Sequence, residues 1–281
     1  MKLLVVFHVY YQDQIPWFID KMRNIHGCEW DLVVTGSSLE QDSQALISSF
    51  KPDTRFITCE NAGYDIWPFL DVLQQVSLDN YDLVMKLHTK SNFGDTVLRF
   101  NGIKMTGTLW RDLLVDAMLQ DKARFEKVLN QFGKSPRTGM ICSGKLFVAP
   151  QSYPEDKELL DNEMNRIGLQ CKDHRFCAGT MMIFRASLLK KALPLGTYTA
   201  SLFPSAASHS GATLAHVYER ILSILVPAKG YKVYHTDTDL PFLLKFYLRK
   251  PIGALGLIFN LQRKDGVKYL TLFGLRFPLD K

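Results

Sequence analysis

Through residue 90 the chain alternates between short apolar runs and longer segments whose apolar positions recur every three or four residues. Leu3 to Val9 is a continuous apolar run that reads as a buried strand. Ile15 to Ile25 has helical periodicity with Pro16 near its first turn, and Trp30 to Thr35 is again a β-branched apolar run. Leu39 to Phe50 predicts a second helix, Arg55 to Thr58 a third strand, Trp67 to Val76 a helix with Pro68 in its first turn, and Tyr81 to Leu87 a fourth strand. Repeated βα units predict a Rossmann-type, mainly parallel, right-handed α/β sheet flanked by helices.

The pattern loosens beyond this point. Ser91 to Thr106 reads as a polar loop, a length usually tied to function. Helices are predicted at Trp110 to Leu119 and Arg124 to Phe132, a strand at Gly139 to Ser143, and another entered through small residues over Cys177 to Arg185. Ser187 to Ala192 is a helix stopped before Pro194, and Ser205 to Gly211 is a small-residue loop. Leu214 to Leu225 is a helix, and Tyr231 to Tyr234 a last strand ending at His235. The predicted division is a catalytic-type domain over 1–240 and a C-terminal appendage over 241–281.

The composition is that of an ordinary globular chain of 281 residues, 47% hydrophobic and 22% charged, long enough to bury a large core. Cys28, Cys59, Cys142, Cys171 and Cys177 form no CxxC pair and read as reduced thiols of a cytoplasmic protein. The opening Met1 to His8 reads as a first strand rather than a signal peptide, because His8, Tyr10 and Tyr11 follow at once. No apolar run reaches the roughly 18 residues of a spanning helix.

Charge changes the picture only at the end of the chain. After Leu240, eight Lys and Arg residues face Asp265 and Asp280, an excess that equals the formal net charge of the whole chain, +6. They are interleaved with Phe242, Leu243, Leu244, Phe246, Tyr247, Leu248, Leu255, Leu257, Ile258 and Phe259. That mixture suits an interfacial segment on an anionic membrane surface, peripheral on the inner face of the cytoplasmic membrane; packing of its apolar residues back onto the domain is the alternative. With the charge confined to the tail and no recognition motif, a nucleic-acid partner is not expected.

The candidate chemistry lies at the end of the fourth strand. Alternation puts Lys86, His88 and Lys90 on one face, with His88 and Lys90 at the carboxyl end where open α/β sheets bind ligands. Cationic donors there suit an anion, and a diphosphate is the natural one. One helix earlier, Gly63 and Asp65 supply a turn and a carboxylate.

In this order, Val5-Val6-Phe7-His8-Val9-Tyr10, Asn61-Ala62-Gly63-Tyr64-Asp65, Lys86-Leu87-His88-Thr89-Lys90, Ala178-Gly179-Thr180-Met181 and His216-Val217-Tyr218-Glu219-Arg220 resemble the bacterial rhamnan synthesis protein F family. The resemblance covers most of the chain and implies a GT-A-like glycosyltransferase of surface-polysaccharide assembly. It implies a nucleotide-sugar donor, with L-rhamnose carried on dTDP, and a growing lipid-linked glycan as acceptor. Transfer of galactofuranose or another hexose, or a non-catalytic sugar-binding subunit, stands as the alternative.

Donor binding is then expected at His8, Tyr10, Asn61, Gly63, Asp65, Lys86, His88 and Lys90. Glu219 is the candidate base that deprotonates the acceptor hydroxyl, against a plain salt bridge to Arg220. Asp65 is either a second catalytic carboxylate or a donor contact. Trp110, Arg111, Gly179, Thr180 and Arg185 are candidates for the acceptor, against core burial for Trp110 and a structural role for Arg185. Where the GT-A pattern has an Asp-x-Asp metal site this chain has His88-Thr89-Lys90, so fixed cations are expected in place of Mn or Mg. An Asp-x-Asp does occur at Asp237-Thr238-Asp239 beside His235, and it is either a divalent-ion site or a solvated turn.

Overall fold

A computed structural model describes residues 1–91, 98–100, 103–149, 154–203, 213–242, 259–264, 267–272 and 275–279. The first half is β1 (Lys2–His8), α1 (Ile15–Met22), β2 (Glu29–Gly36), α2 (Gln41–Phe50), β3 (Arg55–Thr58), α3 (Ile66–Gln75) and β4 (Leu83–His88). These match the expected elements to within a few residues. Each helix turns its apolar stripe inward; α1, for example, buries Ile15, Phe18, Ile19 and Met22.

Part of the expected loop over 91–106 is a hairpin of β5 (Leu98–Phe100) and β6 (Ile103–Met105). There follow α4 (Gly107–Leu119) and α5 (Lys122–Lys134), each begun by a side-chain cap: Thr106 accepts from the Leu109 N–H and Asp121 from the Arg124 N–H. Next come β7 (Thr138–Cys142), β8 (Phe147–Val148), α6 (Pro154–Arg166), β9 (Phe176–Cys177), β10 (Met182–Arg185), α7 (Ala186–Ala192), α8 (Leu214–Ala228) and β11 (Lys232–His235). The tail contributes β12 (Phe259–Lys264), β13 (Val267–Leu272) and β14 (Leu275–Pro278), an antiparallel sheet of their own. The expected loop over 205–211 and the basic apolar run over 243–258 lie outside the described residues.

The main sheet has the order β11-β7-β10-β4-β1-β2-β3. All neighbours pair parallel except β10, which runs against both β4 and β7. The α/β, mainly parallel architecture expected from the pattern is therefore present, with one reversed strand near its centre. In this sheet β1 and β4 are buried along almost their whole length, as central strands with both faces covered must be. The ring of Phe242 is also fully buried in this core, and its N–H donates to Asp239 over 2.9 Å.

Close packing of α8 and the turn into β11 against β7 leaves no room at Gly139. A Cβ there would lie 2.6 Å from the Tyr231 Cβ and 2.9 Å from a Val226 methyl. Gly139→Ala is therefore expected to lower stability by about 1–3 kcal/mol. Gly133, in the last turn of α5 with open space where a methyl would go, is the control: Gly133→Ala should leave stability unchanged or raise it by up to about 1 kcal/mol. Chemical denaturation of the two variants checks this, and equal loss in both would contradict the packing argument.

Candidate functional site

The register of the sheet builds the site. β1 and β4 end together, with His8 opposite His88. Because β10 is antiparallel, the residues just before it, Gly179 and Thr180, arrive at the same rim. The first half of α8 lies beside them and carries His216 and Glu219. Between these elements is a cavity of about 710 Å³, lined among others by His8, Tyr10, Tyr11, Asn61, Tyr64, Asp65, His88, Lys90, Trp110, Gly179, Thr180, His216 and Glu219. It lies at the carboxyl ends of parallel strands, where ligands bind in open α/β sheets.

Lys86 is 1% exposed and does not reach this cavity. Its ammonium pairs with Asp65 Oδ2 and donates to Thr180 Oγ1 over 3.0 Å, and it lies 5.5 Å from the Phe69 ring centre. The Thr180 hydroxyl in turn donates to Asp65 Oδ2 over 2.6 Å. Burial by itself would raise the Asp65 pKa, but His88 once protonated at low pH, Lys86 and the Thr180 hydroxyl outweigh it and hold the carboxyl well below the usual carboxylate range. Burial lowers the Lys86 pKa, opposed by Asp65. Two non-glycine residues beside this contact have left-handed backbones, Tyr64 at φ 53° and Thr180 at φ 48°. For Thr180, a β-branched residue, that conformation is strained, and it persists because the surrounding contacts fix it.

His88 Nε2 lies 2.8 Å from the Gly179 carbonyl and 3.7 Å from Asp65 Oδ2, while Nδ1 lies 3.0 Å from the Thr89 carbonyl. Burial, opposed by Asp65, pushes its pKa down to about 4, so it is neutral at pH 7. A neutral imidazole has one N–H and can donate to only one of these carbonyls at a time. His8, beside it, is likewise pushed down to about 4, chiefly by burial, with Nδ1 3.0 Å from the Thr35 hydroxyl.

The other rim is formed by Glu219 and Lys90. Glu219 Oε1 accepts the Gly179 N–H over 2.8 Å; burial raises its pKa and nearby Asp65 adds to the rise, against the Gly179 N–H and Lys90. The Lys90 ammonium lies 4.2 Å from the Trp110 ring centre, and burial lowers its pKa, opposed by Glu219 and Asp65. The indole N–H of Trp110 donates to the Ala178 carbonyl over 3.0 Å, so the ring both lines the cavity and buttresses the 178–180 segment. Tyr10 is exposed at the mouth, Asn61 also lines it, and Gly63 (φ 58°) sits below the surface against Phe203 and Trp67, where a Cβ would meet both at under 3.0 Å.

Several sequence-predicted residues are not brought to the cavity. Arg111 turns away from it, donating twice to Asp112 and lying 3.8 Å from the centre of the Trp17 ring. Arg185 lies at the opposite edge, level with Leu83, because β10 runs antiparallel; it donates to the carbonyls of Thr138, Phe132 and Ser135. Asp237 is buried and accepts from the Ser143 hydroxyl and the Gly144 N–H, while Asp239 accepts from Arg124, Lys127 and the Phe242 N–H. His235 Nδ1 lies 3.2 Å from the Cys142 carbonyl. These three therefore serve different contacts. Among the described residues no three His, Cys, Asp or Glu side chains are grouped to hold a metal. In the cavity, Asp65 and Glu219 each have an oxygen already engaged, and Lys90 stands beside them. Each of these carboxylates keeps a second oxygen, so a divalent ion held by one or two carboxylates together with donor phosphates is compatible with the cavity, and Lys90 is the competing positive charge.

The structure adds residues that sequence reasoning did not single out: Tyr11, Tyr64, Thr89 and His216. The last three lie inside the motifs that were recognised. Thr89 Oγ1 accepts the N–H groups of both Tyr10 and Tyr11 at 2.9 Å, stitching the ends of β1 and β4 together.

Residues 1–231 match the model of the family Rhamnan synthesis protein F. The chain belongs to this family. It is also 29% identical over 184 residues to the uncharacterized protein WxcX of Xanthomonas campestris pv. campestris, an alignment covering 64% of this chain and 25% of that protein. The chain thus spans about a quarter of the length of the curated relatives it matches. Among solved structures, Staphylococcus aureus TarS 1–349 in complex with UDP-GlcNAc is similar with a TM-score of 0.43 and 12% identity, over 92% of this chain and 67% of that one. The mannosyltransferase PcManGT from Pyrobaculum calidifontis, in complex with GDP-Man and Mn2+, gives 0.40 and 12% over 83% and 53%.

The buried imidazole generates a pH prediction for this family member. The folded pKa of His88, about 4, lies below the ordinary 6.5, so the unfolded chain binds the proton first. The associated stability is complete above about pH 6.5 and is lost as pH falls toward 4, by up to about 3 kcal/mol. Denaturation curves at pH 7.5 and 4.5 measure it, and His88→Gln should reduce the difference, the part due to His8 remaining. An unchanged pH dependence in that variant would contradict the assignment.

Proposed function

We propose that this protein is a glycosyltransferase of surface-polysaccharide assembly, transferring a sugar from a nucleoside diphosphate donor to a hydroxyl of a lipid-linked glycan. Family membership makes L-rhamnose on dTDP the first donor to test. The observation that carries the reading is the convergence of Lys90, Asp65 and Glu219 on one cavity at the carboxyl ends of β1 and β4.

The chemistry follows from that convergence. In a direct displacement, the acceptor oxygen bonds to the anomeric carbon while the bond from that carbon to the phosphate oxygen breaks. The proton of the acceptor hydroxyl passes to Glu219, whose burial raises its pKa and makes it a better base than a solvated carboxylate. The diphosphate leaves with the bonding electron pair, and Lys90 offsets its charge from a fixed position. Trp110 and the tyrosines at the mouth offer apolar faces for sugar rings. A membrane-surface role for the tail rests on its sequence alone.

Replacing Lys90 by Ala is expected to cut transfer about 10²–10³-fold, and Glu219→Gln about 10²–10⁴-fold with donor binding retained. A panel of nucleotide sugars, screened for binding and then for release of nucleoside diphosphate, measures both. Wild-type turnover in either variant would remove that residue from its role. A protein that binds a donor but never releases diphosphate above background, even with acceptor, would be a binding subunit instead.

Transfer is also expected to survive exhaustive chelation, with Lys90 as the positive charge in the cavity that competes with a divalent ion. Loss of activity with EDTA and its return with Mn or Mg would reverse this.

A further inference from the structure

We infer that Lys86 is a positioning residue rather than a phosphate contact: it holds Asp65 so that the free carboxylate oxygen meets ligand hydroxyls, while the diphosphate falls to Lys90. This rests on the reading of the cavity as a nucleotide-sugar site.

The geometry separates the two lysines. Lys86 points at Asp65 and Thr180 beneath the floor of the cavity, and its remaining side faces Phe69. Lys90 lines the cavity itself. Asp65 covers Lys86 on the cavity side, with Oδ2 committed to Lys86 and Thr180 and 19% of its side chain still accessible.

An ionised carboxylate repels a phosphate oxygen but accepts hydrogen bonds, so a hydroxyl of the nucleoside or of the transferred sugar suits this point and a phosphate does not. The groups that set the charge of Asp65 come from every wall: Lys86, His88 and Lys90 from β4 and its end, His8 from β1, Thr180 from the turn before β10, and Glu219 from α8. Of these, Lys86 is in direct contact with the carboxylate.

The test compares Lys86→Met and Lys90→Ala with the intact chain, using three probes: inorganic pyrophosphate, dTDP and dTDP-L-rhamnose. Lys86→Met should bind pyrophosphate within about two-fold of wild type, whereas Lys90→Ala should bind it at least ten-fold more weakly. If the loss in Lys86→Met first reaches ten-fold with dTDP, Asp65 meets the nucleoside; if only with the sugar nucleotide, it meets the sugar. In parallel, the carboxyl carbon of Asp65 is titrated by NMR. It should stay ionised down to pH 4 in wild type and titrate above its ordinary range in Lys86→Met, where burial is opposed less.

Should Lys86→Met fail to fold, the double variant Lys86→Met/Asp65→Asn removes both buried charges. It should still bind pyrophosphate normally and lack the hydroxyl-dependent affinity. Equal weakening of pyrophosphate by Lys86→Met (or the double variant) and Lys90→Ala, or an unchanged Asp65 titration, would overturn the inference. Failure of the wild-type chain to bind any of the three probes would instead remove the functional reading, and the titration would still decide the role of Lys86.

Discussion

An ammonium at the centre of a sheet is tolerable only with its counter-charge in place, and the Lys86–Asp65 pair is the constraint around which this rim is arranged. Stranding one partner of such a pair costs about 3–5 kcal/mol. Position 86 is on β4, between β1 and β10, so the carboxylate has to come from outside the sheet. The turn at Gly63 and Tyr64 delivers it, with both residues in left-handed conformations. Thr180 completes the set from the other side, and it too departs from ordinary backbone geometry. The strain and the buried charge thus support one another, the contact energy fixing conformations that the local sequence would not choose.

The reversed strand has the same significance at larger scale. Had β10 run parallel to its neighbours, its leading residues would lie at the far edge and the 178–180 segment could not meet His88, Glu219 and Trp110. Instead three consecutive residues contact four walls: Ala178 receives Trp110, Gly179 contacts both His88 and Glu219, and Thr180 reaches Lys86 and Asp65. Gly179 also has no room for a side chain, since a Cβ would lie 2.7 Å from Leu114 and 2.9 Å from the indole nitrogen of Trp110.

Much of the scaffold was legible because β1 to β4 and their helices carry strong periodicity. The helix α6 was not, since its thirteen residues Pro154–Arg166 include only Leu159, Leu160 and Met164 as apolar side chains, and it is held by contacts such as the Tyr218 hydroxyl donating to Glu163. The direction of β10 was equally hidden, because an apolar run reads the same either way, and it places Arg185 at the edge away from the cavity. At the site, residue types on β4 pointed to the rim where the cavity lies, but alternation alone does not reveal that Lys86 is paired with Asp65 and His88 buried against the Gly179 carbonyl while Lys90 lines the cavity. Only the positions of Asp65 and Gly179 make that visible.

The stitching of the rim by Thr89 carries a consequence for how such a cavity diversifies. Many anion sites are made of main-chain N–H groups, which no substitution can easily retune. Here the N–H groups of Tyr10, Tyr11 and Gly179 are already filled by the Thr89 hydroxyl and the Glu219 carboxylate. At these three positions recognition is left to side chains. Such a pocket can exchange one ligand for another through substitutions at lining residues that hold no backbone group, whereas changes at Thr89, Glu219 or Trp110 would also release the rim they fasten.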